Sequence, residues 1–242
     1  MVPSDLLGFD YERYSIAAAD VLIAQVYMGG PPISDLAGAD RREAYRRHYE
    51  RSLSHFERIR KRLRAEPQVT HATFGTHFPG NDVQATRIEI AAANGSNVAV
   101  VTRFADVGPE FFATLGASVV QGRDFDVPDH EGSPGTVIVN EPFARKYFPD
   151  GAVLGQRLRL VDPDTAPGSW LEIVGVVPDL ALNPGDPGRA DGIYVPFTPP
   201  ALRESPCGRS QTRVRLSAVS TTLCFASSPT RRSNSRTHSK RR

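Results

Sequence analysis

This chain has little of what usually announces a function. Its two cysteines, Cys207 and Cys224, form no CxxC and have no histidine at metal-ligand spacing. Neither a disulfide framework nor a zinc site is indicated. No apolar run approaches the roughly 18 residues that a membrane-spanning helix needs. The best candidate, Ser15 to Met28, is interrupted by Asp20 and Gln25 and reads as a strand with its turn. The first twelve residues contain no Lys or Arg but do contain Asp5, Asp10 and Glu12, the wrong sign for a secretory leader. The expectation from these absences is a chain without its own means of reaching a membrane. Neither a phosphate-binding G-x-x-x-x-G-K-[ST] loop nor a dinucleotide G-x-G-x-x-G is present. A G-x-S-x-G nucleophile elbow and an H-E-x-x-H zinc helix are missing as well.

What is present is an uneven charge distribution. Residues 201–242 hold ten of the 29 Lys and Arg but one acid, Glu204, so that stretch carries +9 and the preceding 200 residues −7. The same stretch holds nine serines, as many as the rest of the chain. Such a composition reads as a disordered Arg/Ser-rich tail over 200–242.

Before it, periodicity marks the elements. Residues 1–13 read as a linker. A strand over Ser15–Val26 is followed by Gly29-Gly30-Pro31-Pro32, which stops any regular element. Tyr45, Tyr49, Leu53, Phe56, Ile59 and Leu63 form an apolar stripe at helical spacing, predicting a long helix over 41–64. Asp40 and Glu43 stand as a capping pair at its start. Pro67 ends it, and Val69–Gly75 reads as a strand, which completes a βαβ-like unit. From Val83 the period changes to two. Segments Val83–Ile90 and Val98–Phe104 flank Asn94-Gly95, a hairpin signal. A short helix is expected over Glu110–Leu115, ended by Gly116, then short strands at Val119-Val120 and Thr136–Val139 and a helix over Glu141–Tyr147. Leu158–Val161, Leu171–Val177 and Ile193–Phe197 complete the strands. Leu158 and Leu160 alternate with Arg157 and Arg159, predicting one wet face, whereas Ile173–Val177 has no alternation and is expected to be covered on both sides.

Few residues suggest chemistry. Asp124, Asp126 and Asp129 form a D-x-D-x-x-D cluster, but Pro128 and Gly135 stand where a calcium loop needs oxygen ligands, so a solvated turn is expected. Of the six histidines, His48 and His55 are seven apart on the long helix and His71 and His77 flank a strand end; His130 and His238 have no neighbouring ligand pattern. The helix over 41–64 carries ten basic residues against Glu43, Glu50 and Glu57, which reads as a solvated outer face or as attraction to anionic headgroups or an acidic partner. The Arg-rich tail lacks the interleaved aromatics of a nucleic-acid module, and no nucleic-acid partner is expected. No catalytic, cofactor-binding or metal-binding residue is assigned, and no cofactor is expected.

The most informative stretch runs from Phe104 to Pro196. In it, Gly122-Arg123-Asp124-Phe125 precedes Val139-Asn140-Glu141 with Phe143-Ala144, then Tyr147-Phe148-Pro149, Gly155 and Ile173-Val174-Gly175-Val176. That order resembles the periplasmic core domain of MacB/FtsX-like ABC transporter permeases, in particular the duplicated orphan permeases. The resemblance implies an α+β fold: a porter-like α/β part over 14–78 and a β-rich, sabre-like part over 79–199. It implies a non-catalytic domain that relays ATPase-driven motion for export or efflux. A cytoplasmic ATPase subunit, a periplasmic adaptor and an inner-membrane, periplasmic-side location come with it. In the family a strand and a helix follow the last motif and rejoin the porter part, and transmembrane helices flank the domain. Here the tail stands in that place, as a loss of reading frame near residue 200 would produce, and the copy reads as truncated. The alternative reading is a stand-alone extracytoplasmic binding module.

Overall fold

The computed structural model describes residues 21–29, 38–76, 83, 85–92, 96–130, 135–161, 167–182, 185–197 and 218–227. The elements alternate: β1 (Val21–Gly29), α1 (Gly38–Arg64), β2 (Val69–Gly75), β3 (Ala85–Ile90) and β4 (Val98–Val107). Then come α2 (Phe111–Thr114), β5 (Gln121–Gly122), α3 (Val127–His130), β6 (Thr136–Asn140) and α4 (Glu141–Tyr147). The chain continues with β7 (Arg157–Leu160), β8 (Leu171–Val177), β9 (Gly192–Pro196) and β10 (Ala218–Ser227). This is a mixed α/β architecture built on one multistranded sheet.

The sheet order is β1-β10-β2-β4-β3-β7-β8-β6-β9, and β9 pairs back onto β4. The strands from β3 to β9, β5 apart, therefore close into a ring. Its seams are the antiparallel pairs β3–β4, β3–β7, β7–β8 and β6–β9 and the parallel pairs β4–β9 and β6–β8. Strand alternation fixes what fills it. Ile88, Ile90, Leu158, Ile173, Val176, Val137, Val139, Ile193 and Val195 form one buried cluster, with Phe143 of α4 among them and Val100 and Phe104 of β4 packed against it. The alternate residues Ala105, Val107, Ile138 and Tyr194 point the other way and form a second cluster with Phe111, Phe112 and Leu115 of α2 and its neighbour. Arg159 and Glu89 pair at 2.6 Å on the outer face of β3–β7, and the Arg159 guanidinium lies 4.5 Å from the Trp170 ring centre. This is the wet face that the alternation of Leu158 and Leu160 with two arginines requires.

Two glycines seal the wall. Gly122 sits directly opposite Gly175 in the β5–β8 pair. Gly122 adopts φ +75°, and a Cβ there would strike the Val174 carbonyl; at Gly175 it would strike the Arg123 carbonyl. The strand expected at Val119-Val120 is therefore displaced to Gln121–Gly122, where two bare backbones can approach.

The other end of the sheet corrects the reading of the tail. Residues 218–227, placed with the disordered segment, form β10. It runs antiparallel to both β1 and β2 and lies between them. The βαβ-like unit is thus split, with its two parallel strands held apart by a returning third. The returning strand that the family pattern calls for is present. Composition hid it because arginines flank it on both sides, whereas Ala218 to Ser227 is uncharged and rich in strand formers. The rest of 200–242, the 1–13 linker and the Asn94-Gly95 turn lie outside the described residues. The β3–β4 hairpin itself forms, with Ile90 opposite Val98. Helix α1 starts at Gly38, so Asp40 falls in its first turn rather than at its cap, and Glu43 pairs with Arg47 at 2.7 Å. The supposed capping pair instead serves the helix dipole and an i,i+4 contact.

Candidate functional site

The β1–β10–β2 half and the ring meet along a narrow seam. Among the described residues the one β2–β4 register pair is Gly75 opposite Val107. Thr76 N donates to Asp106 O at 3.0 Å and Gly108 N to Phe74 O at 2.7 Å. The Thr76 hydroxyl accepts from Asp106 N at 3.1 Å. A β-carbon at Gly108 would lie 2.9 Å from the Phe74 carbonyl, so glycine permits the two backbones to come this close.

Side chains span the seam in two layers. The inner layer is aromatic. Phe56 of α1 stacks on Phe74 of β2 at 5.7 Å, and Phe197, just beyond β9, meets Phe74 edge-on at 5.3 Å. All three are buried, with Leu53 and Ile59 against them. Phe56 lies at the centre of the stripe read from the sequence; the side chains of Tyr45 and Tyr49 are outside the described set. Such pairs add about 1 kcal/mol each beyond their buried area.

The outer layer is charged and centres on Glu110. This residue precedes α2 and holds a left-handed backbone, φ +61°, which is uncommon outside glycine. Its carbonyl accepts from Thr114 N at 2.8 Å and from the Thr114 hydroxyl at 2.6 Å. Its carboxylate faces Arg64 at 3.4 Å, His71 at 3.8 Å and Arg60 at 3.9 Å. Oε2 is shut off from solvent and accepts no hydrogen bond. Arg60 is also clasped by Glu57 at 3.1 Å, and Arg64 donates to the Thr70 carbonyl. One acidic side chain of the ring half is thus faced by two arginines from α1 and by a histidine from β2. At these separations and partial exposure each contact is weak; the value of the cluster is orientation. Nothing in the periodic pattern marks Glu110. Its signal is its place between Gly108-Pro109 and a helix of four residues, where a strand must turn sharply.

The motifs quoted for the ring prove to be packing and wall chemistry. Asn140 is fully buried: its Oδ1 accepts from Phe143 N at 3.0 Å, capping α4, and from Gly192 N at 2.9 Å. Its Nδ2 donates to the Ala190 carbonyl at 2.6 Å. Beside it the buried Asp191 holds Lys146 at 2.8 Å and the Tyr147 hydroxyl at 3.3 Å. The hydrogen bond to Asp191 raises the Lys146 pKa, while burial raises that of Tyr147. The aspartate cluster is not the solvated turn expected. Asp126 is exposed, but Asp129 is 6% exposed. It takes Arg123 at 2.6 Å, Asp126 N at 2.8 Å and the Thr136 hydroxyl at 2.9 Å. Burial alone would push this carboxyl up; Arg123 and the other donors outweigh it and hold the pKa at about 2. The carboxylate is turned inward because the Thr136 hydroxyl and Asp126 N–H offer it donors from behind the loop.

The histidines stay apart. His48 is buried on α1, with its pKa lowered by burial and by Arg51; His55 is exposed; His71 is at the seam; His130 packs edge-on to Phe125 at 5.9 Å and is lowered by burial. His77 and His238 lie outside the described residues. Among the described residues no three His, Cys, Asp or Glu side chains come together as metal ligands. Among those residues no helix is long and apolar enough to cross a membrane.

Comparison with known proteins gives this geometry a family. No curated protein matches the chain. Among solved structures, the periplasmic region of MacB from Actinobacillus actinomycetemcomitans is 16% identical, with 90% of this chain and 79% of that one aligned and a TM-score of 0.48. The extracellular domain of the noncanonic ABC-type transporter YknZ from Gram-positive bacteria is 15% identical over 72% of this chain and 74% of that one, with a TM-score of 0.42. The family described as the MacB-like periplasmic core domain matches residues 10–223, from before β1 to within β10. With nearly the whole chain spanned by that match, the protein belongs to the MacB-like periplasmic core domain family of ABC transporter permeases.

Proposed function

We propose that this chain is a non-catalytic periplasmic domain that relays motion driven by a cytoplasmic ATPase, in the service of export or efflux. The observation that carries this reading is the seam between the two halves. A relay needs two bodies that are stiff within themselves and joined by few contacts. The ring is stiffened by closure and by two buried clusters. Among the described residues its link to the α1 half is one register pair with the backbone hydrogen bonds beside it, the packing of α2 on β2, one aromatic triad and the Glu110 cluster. Motion of β1 or α1 then reaches the ring through Phe74 and Glu110 as a lever does through its pivot. The half over 14–78 with β10 added would serve as the input arm, and the part over 79–199 as the output. The remaining partners follow from the family: transporter subunits in the inner membrane and a periplasmic adaptor at the far side.

The test is distance. Spin labels at Arg51 on α1 and Asp150 after α4, in the membrane-embedded permease that carries this domain, should report a separation that shifts when ATP is added. A distance distribution unchanged by nucleotide would overturn the relay and favour a binding module.

A further inference from the structure

Helix α1 uses one side for the seam and leaves the other bare. Phe56 is buried, Leu53, Ile59 and Arg60 are half-buried, and all belong to the inner side. On the outer side Arg47, Arg51, Ser54, His55, Arg58, Lys61 and Arg62 are all exposed. From Arg47 to Arg62 this row runs about 22 Å along a straight axis. Between Arg47 and Arg62 the acids are Glu50, which lies half-buried beside Arg47 and Arg51, and Glu57, which is turned to Arg60; from Arg58 onward the row carries no acid. Arg47 is matched by Glu43, and Arg58 lies 2.7 Å from His55.

The kind of partner follows from what this face offers. Protein interfaces are centred on aromatic or aliphatic anchors that fill pockets, with charge at the rim. Among the described residues this face exposes no apolar side chain, so they provide no anchor. It cannot insert among acyl chains either, since that requires a buried apolar stripe. A row of cations without anchors matches a surface that presents only diffuse negative charge, which is the headgroup layer of an anionic bilayer. The family is that of a periplasmic domain of membrane permeases.

We propose that the outer face of α1 rests on anionic phospholipid headgroups, held there by Arg51, Arg58, Lys61 and Arg62. The helix then touches the bilayer on one side and the seam on the other. This contact is independent of the relay, because it requires neither nucleotide nor transporter subunits.

Vesicle binding by the full 242-residue chain tests it. The probes are phosphatidylcholine vesicles with and without about one-third phosphatidylglycerol, at about 0.05 M and about 0.3 M salt. The helix set is Arg51→Gln, Arg58→Gln, Lys61→Gln and Arg62→Gln. A control set removes the same charge from the C-terminal segment: Arg231→Gln, Arg232→Gln, Arg236→Gln and Lys240→Gln. Binding should require phosphatidylglycerol, weaken with salt, and fall at least about tenfold in the helix set but less in the control. Arg51→Lys with Arg58→Lys and Arg62→Lys keeps the charge, so it should bind as the parent does and covers the case in which the helix set fails to fold. Equal binding to neutral vesicles, no binding to anionic ones, a control set that loses as much as the helix set, or a charge-keeping variant that loses binding would each overturn the proposal. Nucleotide-independent distances in the permease would sink the relay and leave this contact standing.

Discussion

The ring and the β1–β10–β2 half differ in how they acquire a core. Ring strands supply both the wall and its filling: alternate residues of each point into one cluster, and the residues between them pack under α2. Among the described side chains, which leave out those of β1 and β10, the other half shows a three-residue buried cluster, and one of those residues, Phe197, lies just beyond the last ring strand. In the ring Asn140 and Asp129 have their hydrogen bonds made several times over. Buried polar atoms without a hydrogen-bond partner occur in both halves: Thr73 Oγ1 and His48 Nε2 in one, the Tyr194 hydroxyl and His130 Nδ1 in the other. Closure lets the ring fill its own core, whereas the described core of α1 and β2 takes one of its aromatics from the neighbour. The proposed relay requires a domain of this design to move at the seam before it deforms in the ring.

The largest effect that would break this contrast comes from the shared aromatic. Phe74→Ala removes the ring on which both Phe56 and Phe197 pack and should cost about 3–5 kcal/mol. Denaturant unfolding followed at α1 and at Trp170, which lies outside the ring wall, should then separate into two transitions. A single transition at reduced midpoint would mean the halves are one cooperative body.

The next test lies wholly in the ring. Asp129 has its pKa depressed on folding, so its contribution is complete above the ordinary aspartate range and is lost as pH falls from about 4 to about 2. Asp129→Asn should therefore be less stable than the parent at neutral pH, by about 2 kcal/mol, with the gap closing through that acid window. A gap that is constant with pH would show that the carboxylate's charge contributes nothing.

The smallest effect belongs to the seam. Glu110→Gln keeps the shape and removes the charge facing two partly exposed arginines, so stability should fall by about 1 kcal/mol or less. Glu110→Gly relieves the positive φ and should offset part of that loss, by about 0.5–1 kcal/mol. Thermal melting of the two variants distinguishes charge from backbone: if the glycine variant is the less stable, the contacts outweigh the strain.

Much of this architecture was legible before any coordinates. Helix α1 follows from Leu53, Phe56 and Ile59 at helical spacing, and β2, α4 and β8 run over the spans that periodicity assigns. The glycines at 122 and 155 take positive φ, as turn positions require. What the sequence determined was local: which residues form elements, and which side of each is apolar. Tertiary structure alone decided the rest. That β9 returns to β4 to close a ring, that β10 separates β1 from β2, and that Glu110 meets Arg60, Arg64 and His71 all depend on contacts between residues far apart in the chain. Such contacts leave no periodic trace, because a strand's pattern records which face is buried and not which strand lies alongside it. Asp129 makes the same point at a single atom: a carboxylate in a polar loop turns inward once a hydroxyl and an N–H are waiting behind it.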